Sequence, residues 1–376
     1  MKVAGFVAEF NPFHEGHKYL IDYIKKDANY DLIIVAMSPN FVMRGEPAIF
    51  DKFSRTEVAL DNGINLVLEI PTIYAIEAAD IYAKYAVEIL VKAGVTDLYF
   101  GSESNDLDVL ECVASLMNQD KYKSLLKRHL DEGDSFNISS KKAIIEIDNN
   151  LESIMSSPND LLGIEYIKTI NKNSYKINKH VVKRVSTGYY SELNENTNIQ
   201  SASAIRHDLI SGQNKYKFSY NISNLQKHVK EDYFDLIKYR ILSSSLAELK
   251  ETLFISDGFE NRLKSIKNVL SYKELVDKLI SKRDRETKVN RVLFALLLGL
   301  KKTDVKDSIE YLRVLGFDTD GRSYLKTMKD NVTPFITEIK KELNEDIYKE
   351  ITYTKIYSLP YSDSEVYLKE YGPIIK

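Results

Sequence analysis

Residues 3–20, "VAGFVAEFNPFHEGHKYL", join an apolar run to two histidines, three positions apart, that flank a glycine and precede a helical pattern. The run from Val3 to Phe10 predicts a buried β-strand, and the apolar spacing from Glu15 to Lys26 predicts an α-helix. Asn11 to Gly16 would then form the turn between them. The stretch therefore predicts the first strand–turn–helix unit of an α/β fold.

The same alternation continues along the first hundred residues. Further strands are predicted at Leu32 to Met37, Asn65 to Ile70 and Asp97 to Ser102, and further helices at Lys52 to Asn62 and Glu77 to Ala93. Such alternation implies right-handed βαβ units and a parallel sheet. Because ligands of these sheets bind beyond the carboxyl ends of the strands, we expect the functional residues just after each strand.

The length and the later pattern predict a second unit. A chain of 376 residues is too long for one typical core. After a strand at Tyr175 to Val185 and a helix from Asn198 to Gly212, the sequence becomes rich in helical patterns. We predict an α/β, parallel-sheet domain over residues 1–215 and a mainly helical C-terminal domain over 216–376.

Composition excludes several classes of protein. A net charge of -3 gives no overall case for nucleic-acid or membrane binding. The single Cys112 excludes a disulfide framework and a cysteine zinc cage, and its apolar helical setting predicts a buried position. The longest apolar stretch, Val292 to Leu300, is about half the length that spans a bilayer. We therefore expect a cytoplasmic protein without a membrane segment.

The two histidines favour a phosphate site. A helix N-terminus offers unpaired N–H groups and the positive end of a dipole, and imidazole N–H groups of His14 and His17 could add donors. Gly16 would let a ligand approach the backbone. Two alternatives are simple helix capping and metal ligation, although no cysteine or nearby third ligand completes a zinc site.

This stretch resembles the nucleotidyltransferase superfamily that carries an H-x-G-H signature. The resemblance lies in the order of a strand, the motif N-P-F-H-x-G-H and a helix. Later segments resemble one family within this superfamily, the bacterial tRNA(Met) cytidine acetate ligases. These segments are Met37 to Pro71, Phe100 to Ser104, Ser157 to Ile170, Val182 to Ser191, Ile199 to Arg206 and Tyr311 to Leu325. One departure is Gln200, where relatives often carry Ser.

This resemblance implies a Rossmann-like nucleotidyltransferase domain that binds ATP, with His14, His17 and Arg206 as catalytic residues. The implied ATP contacts are Val7, Ala8, Glu9, Phe10, Asn11, Pro12, Phe13, His14, Glu15, Gly16, His17, Lys18, Tyr19, Leu20, Gly101, Asn159, Arg184, Ser201, Ser203 and Arg206. Taken without the resemblance, these residues have simpler interpretations. Gly101 would serve a turn, Asn159 and the serines would cap helices, and the arginines would be surface charges.

The resemblance also implies the reaction. Acetate would attack the α-phosphorus of ATP to give acetyl-adenylate and pyrophosphate, and the wobble cytidine of elongator tRNA(Met) would then accept the acetyl group. Mg²⁺ is expected with ATP, but no carboxylate can be named as its ligand, and no obligate protein partner is indicated. The alternatives are a small-molecule adenylyltransferase of cofactor synthesis and a non-catalytic nucleotide- or RNA-binding protein.

RNA contacts are predicted in two places. Asn40 and Arg44 follow the second strand and would face the acyl acceptor, or would be ordinary loop residues, whereas Lys52 and Arg55 are better explained as a solvated helix face. Residues 261–302, which we call the basic segment, hold 12 Lys or Arg against 4 Asp or Glu. Such clustering suits phosphate contacts, although a solvated helix face is equally compatible with it. Its candidate residues fall in one short helical pattern, whose spacing predicts that several share a face. They are Lys282, Arg283, Arg285, Lys288 and Arg291.

Overall fold

A computed structural model describes residues 1–184, 200–282, 284–339, 345–361 and 366–376 of the chain. Its strands are β1 (Val3–Ala8), β2 (Leu32–Met37), β3 (Phe41–Val42), β4 (Glu46–Pro47), β5 (Leu66–Glu69), β6 (Asp97–Ser102), β7 (Asn178–Lys183), β8 (Leu312–Phe317), β9 (Phe335–Ile336) and β10 (Ile374–Ile375). Its first helices are α1 (Glu15–Asp27), α2 (Lys52–Asp61), α3 (Thr72–Ala75), α4 (Ala79–Lys92), α5 (Leu107–Leu116), α6 (Asp120–Asp131), α7 (Phe136–Ile147), α8 (Pro158–Asn173) and α9 (Ala202–Ser211). The later helices are α10 (Phe234–Ser243), α11 (Leu246–Glu251), α12 (Phe259–Ser265), α13 (Tyr272–Leu279), α14 (Glu286–Leu298), α15 (Thr319–Thr327) and α16 (Glu345–Ser358).

The main sheet has the strand order β10-β8-β5-β2-β1-β6-β7, and β9 pairs with the outer side of β8. All pairs from β5 to β7 are parallel, whereas β8 runs antiparallel to β5. The chain moves outward from β1 through β2 to β5, then crosses back to β6 on the other side of β1. The carboxyl ends of β1 and β6 therefore flank a topological switch point, where parallel α/β sheets bind ligands.

Helices cover both faces of this sheet, so its strands are almost wholly apolar. Alternate residues point to opposite faces, as strand geometry requires. Ile34 joins the apolar cluster under α4, α5 and α8, whereas Val35 joins the cluster under α1 and α2. The prediction of a parallel α/β core is confirmed, and β2 and β6 have the predicted bounds. The first strand ends at Ala8 instead of Phe10, because Phe10 has a φ of 48° that no strand accommodates.

The second half of the chain is divided between two locations. Helices α10 to α14 and α16 pack around a separate apolar cluster that includes Tyr233, Phe294 and Tyr357. Strands β8 and β10, by contrast, return to the main sheet beside β5. The division at residues 215 and 216 stays a prediction, but a second unit built from 216–376 would share its strands with the first sheet.

Two further expectations are wrong. Cys112 is exposed, because it lies on the outer side of α5 while Leu110, Val113 and Ala114 face the core. Lys52 and Arg55 do not form a solvated face of α2, since their side chains are fully buried. No helix in the described ranges combines the length and apolarity that a bilayer crossing would need.

Lys52 lies at the centre of a buried ionic cluster that joins the two halves of the chain. Its ammonium contacts Glu69 at 2.5 Å and Glu370 at 2.7 Å, and Arg313 lies 3.8 Å from Glu370. The neighbouring Glu350 accepts hydrogen bonds from the backbone and hydroxyl of Thr72. Burial, reinforced by the Glu69 carboxylate, raises the pKa of Glu350 to about 8. Three carboxyl groups thus lie near two buried cations, and burial favours the protonated form of Glu350.

We expect Lys52→Ala to lower the free energy of unfolding by about 3–5 kcal/mol, because Glu69 and Glu370 would stay buried without their shared cation. Urea-induced unfolding at pH 7 measures the change. Lys123→Ala is the matched control, since the Lys123–Asp120 pair lies in solvent and its loss should change stability little. Equal stability losses in the two variants would contradict the structural role of Lys52.

Candidate nucleotide-binding site

A buried arginine of α2 fixes the backbone after β1 by hydrogen bonds. The guanidinium of Arg55 donates to the carbonyl oxygen of Glu9 at 2.5 Å and to that of Ser38 at 3.0 Å, and a further N–H reaches the carbonyl of Pro39. Arg55 therefore ties the chain leaving β1 to the chain leaving β2. The ends of these two neighbouring strands are thus fixed by hydrogen bonds as well as by sheet pairing.

The two histidines are oriented by the first backbone N–H groups of α1. His14 is the N-cap: its Nδ1 accepts from Gly16 N–H at 3.1 Å, and Nδ1 of His17 accepts from His14 N–H at 3.2 Å. The imidazole rings stack with 3.8 Å between centroids. A neutral imidazole that accepts through Nδ1 carries its proton on Nε2. Both histidines therefore present an Nε2–H donor.

The same surroundings keep both rings uncharged. Burial and the nearby Arg184 and Arg206 guanidiniums lower the pKa of His14 to about 4. Burial, His14 and Arg184 hold the pKa of His17 well below its ordinary value. At pH 7 the pair consists of two neutral hydrogen-bond donors, which can bind an anion without changing protonation.

Helix α9 supplies one rim of the site. Arg206 donates from Nη1 to the carbonyl oxygen of Asn11 at 2.7 Å, and its Nη2 lies 3.3 Å from the hydroxyl of Ser203 and 3.7 Å from Glu46. Ser201 caps the helix through its hydroxyl, which accepts from Ala204 N–H. The N-terminal half of α9 is thus attached to residues 11–17, which we call the histidine turn.

The opposite rim comes from β6, β7 and α8. Arg184 donates to Oδ1 of Asn159 at 3.0 Å and lies 3.7 Å from Glu103, and Asn159 donates to the same glutamate. A Cβ atom at Gly101 would meet the Cγ atom of Arg184 at 3.1 Å, so the glycine allows the arginine stem to cross the end of β6. Asn159 and Arg184, two predicted site residues far apart in the sequence, are therefore joined in one group through Glu103.

The two rims face the same pair of histidines, since Arg184 and Arg206 both act on the charge of His14. The resulting cradle contains two guanidiniums, two imidazole donors and the positive dipole end of a 13-residue helix. The expected unpaired N–H groups are not available there, because Tyr216 and His14 accept from the first two of them. The capping alternative for the histidines is correct for Nδ1 and leaves Nε2 available. For the metal alternative, the group of His and carboxylate residues in the described ranges that could share an ion is His129, Glu132 and Asp134 near the end of α6, which does not include the pair.

Several contributors were not predicted from sequence. Tyr216 accepts from Glu15 N–H through its hydroxyl, and Tyr220 donates to the carbonyl of Phe13, so the segment after α9 closes over the turn. Asp160, buried at the start of α8, accepts from the hydroxyl of Ser102 and from the backbone of Glu103. Asp160 directly follows the predicted site residue Asn159, and this adjacency could have identified it from the sequence.

The β3–β4 hairpin carries the other predicted loop residues. Asn40 is buried, and its amide donates to Thr354 and accepts from Lys52 N–H, so it supports the loop. Arg44 is exposed at the tip with a φ of 85°. A Cβ atom at the next residue, Gly45, would lie 2.5 Å from the backbone of Arg291, so the hairpin packs directly on α14.

The candidate residues of the basic segment are not on one helical face. Helix α14 begins at Glu286, after the exposed Lys282 and Arg285, and Arg283 lies outside the described residues. Lys288 contacts Asp284 at 2.6 Å, and Arg291 is only partly exposed under the hairpin. Of the described candidates, Lys282 and Arg285 are the two with exposed side chains.

Comparison with known proteins agrees with this architecture. The family model of the HIGH nucleotidyl transferases matches residues 1–370. The tRNA(Met) cytidine acetate ligase of Staphylococcus haemolyticus is 36% identical over 367 residues, which covers 96% of this chain and 95% of that protein. The corresponding ligase of Acetivibrio thermocellus is 32% identical over 400 residues and covers 96% of both chains.

Solved structures extend the agreement to three dimensions. The crystal structure of Thermotoga maritima TmcAL bound with alpha-thio ATP has a TM-score of 0.84 and 28% identity, and covers 100% of this chain and 99% of that chain. The apo crystal structure of the same protein gives a TM-score of 0.86 with the same coverage. The chain therefore belongs to the HIGH nucleotidyl transferase family, among the tRNA(Met) cytidine acetate ligases.

Proposed function

We propose that this chain uses ATP to join acetate to the exocyclic amine of the wobble cytidine of elongator tRNA(Met). The observation that carries the proposal is the cradle of neutral histidines and arginines, in a chain of this family. Acetate alone is a poor acyl donor, whereas acetyl-adenylate has AMP as a good leaving group. The reaction therefore needs a site that binds the triphosphate of ATP and stabilises the negative charge that builds on its oxygens.

The histidine turn is the proposed triphosphate site. Nε2–H of His14 and of His17 would donate to phosphate oxygens, beside the helix N-terminus and the guanidinium of Arg206. As acetate attacks the α-phosphorus, the bond to pyrophosphate breaks and negative charge builds on the departing oxygens. Donors already fixed by Gly16 N–H and His14 N–H need no reorganisation at that moment, which is how such sites stabilise a transition state.

The opposite rim is the proposed nucleoside site. Gly101 lets the Arg184 stem cross the end of β6, and the Asn159–Arg184–Glu103 group offers donors and acceptors for the adenosine portion. Arg184 also lies near the histidines, so it would contact the phosphates from the nucleoside side. The ATP would then span the switch point from β6 to α9.

Mg²⁺ would enter with ATP, held by phosphate oxygens and water. The acidic side chains paired with the two arginines do not fit a protein-built magnesium site, because Glu46 lies against Arg206 and Glu103 against Arg184. We assign no carboxylate as its ligand.

The reaction is tested by incubating the protein with tRNA(Met), ATP and labelled acetate, then analysing the nucleosides by mass spectrometry. N4-acetylcytidine at the wobble position, formed only with acetate and ATP together, is the expected product. Pyrophosphate release that needs a small molecule other than acetate would indicate a cofactor-synthesis enzyme. ATP binding without turnover would indicate a non-catalytic protein.

We expect His17→Ala to reduce acetyl transfer by about 10²–10³-fold, because it removes one donor to developing charge. Affinity for tRNA should be nearly unchanged. The rate of acetyl incorporation and a filter-binding measurement give the two values. His207→Ala, which removes an exposed imidazole from α9, is the control and should keep most activity. Full turnover by His17→Ala would remove this residue from the mechanism.

We expect Lys282→Glu with Arg285→Glu to weaken tRNA binding and to leave ATP binding intact, because two exposed cations would no longer reach the RNA phosphates. If each cation neutralises one phosphate, the slope of log affinity against log salt should become shallower by about 1.4–1.8. Lys121→Glu with Lys127→Glu on α6 makes the same charge change elsewhere on the surface. Equal losses in both double variants would mean that net charge, and not this segment, controls binding.

A further inference from the structure

We infer that the Glu9 carboxylate is the base that accepts the proton of the cytidine amine when that amine attacks acetyl-adenylate. This inference rests on the proposed function and concerns its second half-reaction. The cytidine amine is a weak nucleophile, because its lone pair is delocalised into the ring. As the C–N bond forms, the nitrogen becomes acidic and must lose a proton, and a positioned base typically accelerates such a step by about 10²–10⁴-fold.

Glu9 lies at the end of β1, on the chain that leads into the proposed triphosphate site. It directly follows β1 and stands two residues before Asn11, whose carbonyl binds Arg206. Its Oε1 accepts from Met43 N–H at 3.0 Å, which brings the β3–β4 hairpin over it. Among the described residues Oε2 has no hydrogen-bond partner, and the side chain keeps partial exposure. One carboxylate oxygen is therefore fixed while the other can receive a proton.

The other titratable groups of the site are poorly suited to the task. The histidines use Nδ1 to accept backbone N–H groups and carry their protons on Nε2, so neither offers a free basic nitrogen. Glu46 lies 3.7 Å from Arg206, and Glu103 lies 3.7 Å from Arg184. Both carboxylates thus already lie beside a guanidinium. Arg206 is thus paired with Glu46 instead of with Glu9.

The surroundings give Glu9 a suitable affinity for protons. Burial raises the pKa of Glu9 to about 7, and the Glu46 carboxylate adds to this rise, while Arg206 and Arg44 oppose it. The remaining ionisable groups that face it are Tyr82 on α4, Tyr166 on α8 and Arg55 on α2. The tyrosines have raised pKa values from burial and stay neutral. A base with a pKa near the working pH is the most efficient kind.

The step balances without any further reactant. The amine nitrogen forms a bond to the acetyl carbon, and the bond from that carbon to the adenylate oxygen breaks. The electron pair of the broken bond leaves with AMP, and the amine proton moves to Oε2 of Glu9. Release of that proton to water restores the carboxylate before the next turnover.

The test separates the two half-reactions with Glu9→Gln, which keeps an oxygen for Met43 N–H. Exchange of labelled pyrophosphate into ATP, with acetate and without tRNA, should fall far less than acetyl transfer, because the proton step comes after adenylation. Single-turnover transfer of acetyl to tRNA(Met) should fall by about 10²–10⁴-fold. Loss of both activities would overturn the inference, because Glu9 would then serve folding, ATP or metal binding. Retention of both would overturn it as well.

The pH profile gives a second measurement that a structural role would not change. Because the base must be deprotonated, the wild-type transfer rate should rise with pH through about 7 and then level off. Glu9→Gln should lack this rise. Glu46→Gln removes a like charge, so the rise should move to lower pH. An unchanged profile in both variants would contradict the inference, whereas a wild-type protein that acetylates no tRNA would contradict the proposed function itself.

Discussion

Two hydrogen bonds at the start of α1 determine the chemistry that this site can perform. Gly16 N–H donates to Nδ1 of His14, and His14 N–H donates to Nδ1 of His17. These are N–H groups that a helix cannot satisfy internally, so the histidines complete the helix and are oriented by it. Because Nδ1 is occupied, each Nε2 must carry the proton. The proposed phosphate site therefore consists of fixed, neutral donors, to which Arg184 and Arg206 add positive charge.

These hydrogen bonds depend on a frame that keeps the strand ends in place. Arg55 ties the loops after β1 and β2, and Lys52 ties α2 to the sheet and to the C-terminal segment through Glu69 and Glu370. Buried charges of this kind are costly unless every partner is present. The loops of the candidate site and the return of the chain to the sheet are thus stabilised together, which connects the helical half to the geometry of the histidine turn.

Much of the sheet was predictable because apolar periodicity follows burial directly. β2 and β6 were predicted with their observed bounds, and the histidine turn was identified from residue order alone. The error at Phe10 came from a positive φ, which apolar character does not reveal. Strands β8 and β10 were missed, since they are single short runs within a helix-rich region and their partner β5 lies far away in the sequence.

Charged residues were harder to interpret than apolar ones. Lys52 and Arg55 have the composition of a solvated helix face, and their burial depends on partners as distant as Glu370. Asn40 was a candidate substrate contact, but Thr354 engages its amide. Conversely, Glu46 and Glu103 were not predicted as site residues, and only the fold shows that they lie beside Arg206 and Arg184. Pairing of this kind is set by tertiary contacts between distant segments, which a single sequence does not show.

The protonation state of the two histidines tests the central claim most directly. Long-range ¹H–¹⁵N NMR spectra of the protein labelled at histidine report the tautomer and pKa of each ring, and His14→Gln and His17→Gln variants assign the signals. We predict that both rings are neutral with the proton on Nε2 at pH 7, that His14 titrates near pH 4, and that a non-hydrolysable ATP analogue shifts both Nε2 signals. Nδ1-protonated rings, ordinary titration near pH 6.5, or signals indifferent to the analogue would contradict the account.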